Sequence, residues 1–209
     1  ENLDFVESQL ESVYLTTPDG DVDVSESKYL YRWEDLSAEQ QKTAYLKAIS
    51  AYDQYKSWNR GTELTDHQMK ELRKTSKNEV TCMDCTLVRD AKIKEKKLVG
   101  KVRIAPRGFK DTSFKSQFYS TSPTVSSISI RICELIGMML GLTSWIFDVS
   151  DAFFSGEELR EDEVIYIKLP EEILRMEQEN GLGGDPSKPW RRLRREVPGC
   201  RGASSSWFR

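Results

Sequence analysis

Apolar positions first recur with a helical period after residue 37. Tyr45, Ala48, Ile49, Tyr52 and Tyr55 fall on one side of a 3.6-residue winding. Ser37 with Gln40 gives a capping-box start, so an amphipathic helix is expected from Ser37 to about Trp58. Thr65 with Gln68 repeats that start signal for a shorter helix to about Lys74. The pattern then turns to strands: Val80 to Val88 and Leu98 to Ala105 read as a hairpin whose tip is the lysine-rich segment 90–97, with Pro106 and Gly108 ending its second arm. Thr112 to Pro123 is rich in Ser and Thr and reads as a loop. Thr124 to Leu142 then sets Val125, Ile128, Ile132, Leu135, Ile136, Met139 and Leu140 on one side of a helix, the expected main core element. A short buried strand is expected over Trp145 to Val149 and an alternating one over Val164 to Leu169. Pro170 opens a short helix with Glu171 and Glu172 at its positive end. Asn180 to Pro189 is a Gly/Pro-rich loop and Trp190 to Val197 a final basic strand. Ahead of all this, Glu1 to Leu30 has no sustained period and a turn at Thr16 to Gly20. The order of elements is that of an α+β chain in three parts: a mostly irregular acidic segment 1–36, a helical segment 37–76, and a body 77–209.

A length of 209 residues suffices for one sizeable core, or a core with a smaller lobe. Four cysteines with no apolar leader point to a reducing compartment, so an intracellular location, cytoplasm or nucleus, is expected. The best apolar stretch, Ile128 to Leu142, is broken by Arg131, Glu134 and two glycines, so no membrane partner is expected. Glu1 in place of a methionine and the ending Trp207-Phe-Arg209 both read as cuts, which makes a fragment the expectation.

Formal net charge is −3, but the charge is unevenly spread. Glu1 to Leu30 holds eight acids and one lysine, Ala91 to Lys115 nine bases and two acids, and Lys188 to Arg209 seven bases and one acid. Two basic blocks flanking a more acidic middle suit a surface that meets phosphates; a single lysine run is more plainly a solvated face.

The segment Trp145-Ile-Phe-Asp-Val-Ser-Asp-Ala-Phe-Phe154 is the centre of the chemistry. An apolar strand that delivers a carboxylate, Asp148, at its end calls for a metal or an arginine to offset burial of the charge. A helix N-cap is an equal alternative on these residues alone, because Asp151 or Ser150 could start a turn at Ala152.

Five segments, in order and with compatible spacing, resemble the reverse transcriptases of copia-type retrotransposons. Lys101-Val-Arg-Ile-Ala-Pro-Arg-Gly-Phe109 is similar, without gaps, to the family's Lys-Ala-Arg-Leu-Val-Ala-Arg-Gly-Phe. Ser122-Pro-Thr-Val and the apolar helix after it resemble the family's Ala-Pro segment and helix. Asp148-Val-Ser-Asp-Ala-Phe-Phe-Ser-Gly156 is similar to Asp-Val-Lys-Thr-Ala-Phe-Leu-Asn-Gly, and Val164-Ile-Tyr-Ile-Lys-Leu-Pro170 to Val-Tyr-Met-x-x-Pro. Trp190-Arg-Arg-Leu-Arg-Arg with Val197-Pro-Gly-Cys-Arg-Gly-Ala-Ser-Ser-Ser-Trp-Phe208 resembles Trp-Arg-Leu-x-Lys and Leu-Tyr-Gly-Leu-Lys-Gln-Ala-Pro-Arg-Ala-Trp-Tyr. The resemblance covers roughly Thr62 to Arg209.

It implies a right-hand polymerase fold, here partial fingers and palm truncated before the Asp-Asp hairpin, from the Pol polyprotein of such an element. Asp148 would be the first magnesium-binding aspartate and the Val149 carbonyl a further oxygen ligand, as two-metal nucleotidyl transfer requires. The amides of Asp151 and Ala152 would touch the triphosphate, and Phe153 would stand under the sugar as the gate favouring deoxyribose. Lys101 and Arg103, on one face of a strand, would clamp the incoming phosphates; Arg107 shares their parity, though Pro106 can turn it away. Gly199 and Ala203 to Trp207 would lie against template and nucleotide base, glycine permitting close backbone approach. The implied cofactor is magnesium. The implied partners are an RNA or DNA template-primer, deoxynucleotide triphosphates and the remainder of the Pol polyprotein.

The chain departs from the pattern at Pro198, Gly202 and Ser204, where the family has tyrosine, glutamine and proline, and it contains no Asp-Asp pair. One carboxylate and one carbonyl do not hold two magnesium ions, so this chain is expected to be inactive by itself. The alternative from another class is a non-enzymatic nucleic-acid-binding or interaction remnant of a decayed element; a helical adaptor over Ser37 to Lys74 has periodicity alone behind it. Cys82-x-x-Cys85 has zinc-like spacing but no second pair, and His67 is the sole histidine, so strand cysteines are the better reading. Gly181 to Gly184 lacks the lysine of a phosphate loop, and Ser204 to Ser206 has no histidine nearby for hydrolase chemistry.

Overall fold

The computed structural model describes residues 31–94, 97–111, 125–143, 145, 149 and 151–208. Helix α1 runs Ala38–Gln54, α2 Asp66–Thr75, α3 Ser127–Met139, α4 Glu171–Glu179 and α5 Ala203–Phe208. Strands are β1 Val80–Lys94, β2 Lys97–Pro106, β3 Val164–Lys168 and β4 Trp190–Arg192, in the sheet order β2-β1-β3-β4. The protein is therefore mixed α+β with a four-stranded mixed sheet: β1 pairs parallel to β3, with Val80 opposite Val164, and β3 pairs antiparallel to β4, with Ile167 opposite Arg191.

The chain forms two compact units. Among the described residues, the first takes those within 31–48 and 88–103, the second those within 49–87 and 104–208. In the first, the start of α1 is held by the expected reciprocal cap: Ser37 N–H donates to Gln40 Oε1 and Gln40 N–H to Ser37 Oγ. Leu36, Ala44, Tyr45, Ala91 and Val102 are its buried apolar side chains. Gly100 is packed against them, because a Cβ there would come within 3.0 Å of Leu36 and 3.1 Å of Ala44.

In the second unit Ile49, Tyr52, Met83, Ile167, Ile173, Leu174, Leu193 and Val197 are almost wholly buried. Helix α2 starts at Thr65 with the same reciprocal cap, the Thr65 hydroxyl accepting from Gln68 N–H and the Gln68 side chain from Thr65 N–H. Pro170 caps α4, and the glycine cluster after it closes the helix. Gly181 takes φ +68°, its amide donates to the Gln178 carbonyl, and the Leu182 amide reaches back to Glu177, which satisfies two carbonyls that the helix end leaves open. Inside that unit Arg191 and Glu177 form a fully buried ion pair at 3.1 Å. Arg60 joins it, reaching Glu177 at 2.9 Å and holding Asp53 with two hydrogen bonds.

Three sequence expectations change. Strand β1 continues to Lys94, so part of the lysine-rich segment expected at the tip is strand. Regular pairing in the last strand stops at Arg192, short of Val197: Leu193 and Arg195 make only isolated bridges, to Trp58 and Glu158. The largest change concerns α3. It forms as expected, with Ser126 as N-cap, but Ile128, Ile132, Leu135, Ile136 and Met139 are all exposed and only Gly137 is buried. Periodicity predicts the helix; which partner covers its stripe is a non-local matter, and no described residue does so. Glu1 to Leu30, residues 112–124 and most of the strand expected at Trp145 to Val149 lie outside the described residues. Among the described residues no helix is long and apolar enough to cross a membrane.

Candidate nucleotide and nucleic-acid site

Two adjacent phenylalanines receive opposite environments. Asp151 adopts a left-handed conformation, φ +54°, ahead of a single 3-10 turn over Ala152–Phe154. Phe154 N–H donates to the Asp151 carbonyl at 2.8 Å and Ser155 N–H to Ala152 at 3.0 Å. Asp151 thus occupies the N-cap position, yet its carboxylate makes no cap hydrogen bond, and Ser150 lies outside the described residues. The turn drives Phe154 inward, stacked on Tyr55 at 5.6 Å between centroids and edge-on to Tyr52 at 5.1 Å. Tyr52 is itself stacked on Trp58 and donates its hydroxyl to the Ile104 carbonyl. Phe153 remains 41% exposed and Val149 53%. Ordinary core packing, the plainer reading of Phe153, is therefore the role of its neighbour.

Helix α5 packs on this turn. Gly156 lies close against it: a Cβ there would meet Ser206 Oγ at 2.8 Å, a contact the hydroxyl could relieve by rotating. Arg195 donates to the Gly156 carbonyl, and Arg194 and Arg195 both reach Glu158, at 3.0 and 3.2 Å.

A second tie is made by two glycines. The Gly108 amide donates to the Gly199 carbonyl at 3.0 Å, and Gly199, at φ +108°, backs onto Pro106, where a Cβ would lie 2.5 Å from the Pro106 carbonyl. Side chains with a Cβ do not fit either face of this contact. The Arg107 amide bonds the Asp84 carbonyl and its guanidinium takes Thr86 Oγ1 at 2.6 Å and Asp84 at 2.9 Å. Lys110 also reaches Asp84, at 3.0 Å. Burial works against ionisation of Asp84, but these cations hold its carboxyl below the usual range.

Lys101 and Arg103 belong to the first unit, the remaining candidates to the second. Both are exposed on one face of β2 while Val102 and Ile104 between and after them are buried, as strand alternation requires. Arg103 stands 3.8 Å from Asp90. Asp148 lies outside the described residues.

The cysteines behave as packing groups. Cys82 and Cys85, an odd number of residues apart on one strand, point to opposite faces and cannot chelate one ion together. Burial raises the Cys82 thiol, pushes that of Cys85 far up, and pushes Cys200 up to about 12, which disfavours the thiolate that metals bind. Among the described residues no three His, Cys, Asp or Glu side chains are grouped to hold a metal.

The network of Arg60 with the buried Glu177 and Arg191 has no local sequence motif that would reveal it. No protein-family model matches the chain, and no curated protein and no solved structure matches it.

Proposed function

We propose that the chain is the fingers and first half of the palm of a copia-type reverse transcriptase, an RNA-directed DNA polymerase, binding nucleotide and template-primer. The observation that carries the reading is the split of the phenylalanine pair at the segment resembling the family's aspartate motif. Phe154 anchors the turn on Tyr52 and Tyr55, which leaves Phe153 exposed and available to a sugar. The exposed Lys101 and Arg103 suit phosphate binding, whereas the close approach at Gly199 is taken up by Pro106 and lends no support to base contact there. In this reading Asp148 and the Val149 carbonyl would hold magnesium, which would bring the triphosphate and primer hydroxyl together when bound; the amides of Asp151 and Ala152 would meet the triphosphate. The 209 residues contain no Asp-Asp pair, so polymerisation by these residues alone is not part of the proposal.

Titration of a labelled primer-template duplex at two salt concentrations, with and without magnesium and a matching deoxynucleotide, tests it. Tighter binding in the presence of magnesium and nucleotide, lost in Asp148→Asn, is the expected result. Salt-sensitive binding indifferent to both leaves only a non-enzymatic nucleic-acid-binding remnant. No binding under any condition removes both readings. Primer extension by the purified chain is expected to be absent; incorporation that disappears in Asp148→Asn would overturn the claim that it is incomplete.

A further inference from the structure

Helix α2 turns its apolar side chains inward and keeps cations outside. Met69 is buried and Leu72 half-buried, whereas Lys70, Arg73 and Lys74 are exposed, as is Lys77 just past the helix end. Spacings of three and four put Lys70, Arg73 and Lys74 on one side of the helix. Other cations of the second unit are tied to carboxylates, Lys168 to Asp66, Arg107 to Asp84 and Arg175 to Glu171. On α2 only Lys74 is paired in this way, with Glu71 at 2.8 Å. Among the described residues Lys70, Arg73 and Lys77 make neither a hydrogen bond nor an ion pair. Lys70 does help to hold the Asp66 carboxyl below its usual range, but that carboxylate is already taken by Lys168 and the Trp190 indole.

Two plainer roles do not account for this surplus. Bases in a last turn favour the negative end of a helix, which covers Arg73 and Lys74 but not Lys70 in the middle of α2. A ligand in the adjoining cleft, about 320 Å³ and lined by Arg73 and Lys110, would meet Glu79 and Asp111 in the same walls, and Lys110 is engaged by Asp84. The cleft is therefore balanced in charge, and the excess lies on the helix.

The kind of partner follows from what the face lacks. Every exposed residue of α2 is polar, so the face offers no apolar anchor of the sort that centres a protein interface. It also presents no Phe, Tyr or Trp on which an unpaired base would stack. A duplex backbone asks only for cations at intervals. Lys70 to Lys74 is a rise of about 6 Å along the helix, against one charge per about 3.4 Å along each strand. We infer that the outer face of α2, Lys70 and Arg73 with Lys77 beyond them, docks on the sugar-phosphate backbone of a nucleic-acid duplex. The inference rests on the nucleic-acid reading above but not on the polymerase chemistry.

The test is fluorescence anisotropy of a labelled DNA duplex with the whole chain over a series of salt concentrations. The slope of log affinity against log salt reads the number of phosphates engaged. Combining Lys70→Gln, Arg73→Gln and Lys77→Gln is expected to lower that slope by about two to three, close to one for each lost contact. A matched variant neutralises as many exposed cations elsewhere, by Lys42→Gln, Lys56→Gln and Arg175→Gln, and should change the slope by less than about one. Circular dichroism checks that each variant is folded. Should the α2 triple variant fail to fold, Lys70→Gln and Arg73→Gln taken singly decide, each with an expected loss of about one and an unchanged slope for both overturning the inference. A folded triple variant with the wild-type slope, or one that loses no more than the matched variant, overturns the inference and leaves the nucleic-acid reading standing. Poly-glutamate that competes for wild type as well as unlabelled duplex does, at equal charge, assigns the face to an acidic protein and overturns it too. Wild type that binds no duplex even at low salt removes that reading and this one together.

Discussion

The Arg191 guanidinium donates to the Glu177 carboxylate at 3.1 Å with neither side chain exposed. Such a pair costs desolvation, offset here by Arg60 on the second Glu177 oxygen and by the Lys188 carbonyl on Arg191 Nη1, while Arg191 Nε makes no hydrogen bond. Glu177→Ala leaves the buried Arg191 with only the longer approach of Glu63, at 3.7 Å, as counter-charge and is expected to cost about 3–5 kcal/mol in urea unfolding. Arg191→Met combined with Glu177→Leu removes both charges, and its loss should be well below the sum of the single losses. An additive double variant would mean that the two side chains do not depend on each other.

Helix α3 allows a sharper contrast. Ile132 and Leu135 are 52% and 58% exposed. Ile132→Glu and Leu135→Lys should therefore change stability by less than about 0.5 kcal/mol, the ordinary scale for surface positions. A loss of more than about 2 kcal/mol would mean the helix is covered in solution.

These two cases mark what the sequence makes legible. Starts of helices are local, so Ser37 with Gln40 and Thr65 with Gln68 are read correctly from spacing of three residues. Alternation on β2 is likewise local, and it places Lys101 and Arg103 together on one face. Burial is not local. The apolar stripe of α3 looks like core by every periodic criterion, while Glu177, within a run of charged residues, looks like surface and is wholly buried. At the candidate site the sequence singles out Phe153, but the reason it is exposed, Phe154 held by Tyr52 and Tyr55, joins residues about a hundred positions apart.

The approach of Gly108 to Gly199 has a direct consequence for substitution. A methyl group on Gly108 would be driven into the Gly199 carbonyl, and one on Gly199 into Pro106, in a backbone conformation that disfavours any side chain. Gly108→Ala and Gly199→Ala should each destabilise by about 1–3 kcal/mol, the range for overpacking. Thermal or urea unfolding measures it, and a neutral effect at both positions would contradict the contact.

Acid stability should depend on Asp66. Its carboxylate accepts from Lys168 Nζ at 2.8 Å and from the Trp190 indole at 2.8 Å, and these hold it below the usual carboxylate range, Lys168 most of all. A depressed value in the folded state means that the unfolded chain binds the proton more readily, so the contribution is present above the ordinary aspartate range and lost as pH falls through the depressed value. Asp66→Asn should accordingly be less stable than wild type near neutrality and converge with it in strong acid. Curves that stay parallel down the acid limb would show that the carboxylate is not coupled to folding.

Lys101 and Arg103 invite a measurement that separates phosphate contact from general surface charge. Each is exposed on one face of β2, and Arg103 keeps only a long approach of 3.8 Å to Asp90. Binding that neutralises phosphates releases counterions, so the logarithm of affinity falls linearly with that of salt concentration. Arg103→Ala should lower that slope by about one, and Lys101→Ala by a similar amount. Arg175 provides the control, because it is also exposed but is paired with Glu171 within α4 at 2.6 Å and has no part in the proposed surface. Arg175→Ala should leave the slope unchanged. If all three substitutions reduce it equally, nucleic acid meets the protein through its diffuse charge, and the clamp assigned to β2 is wrong.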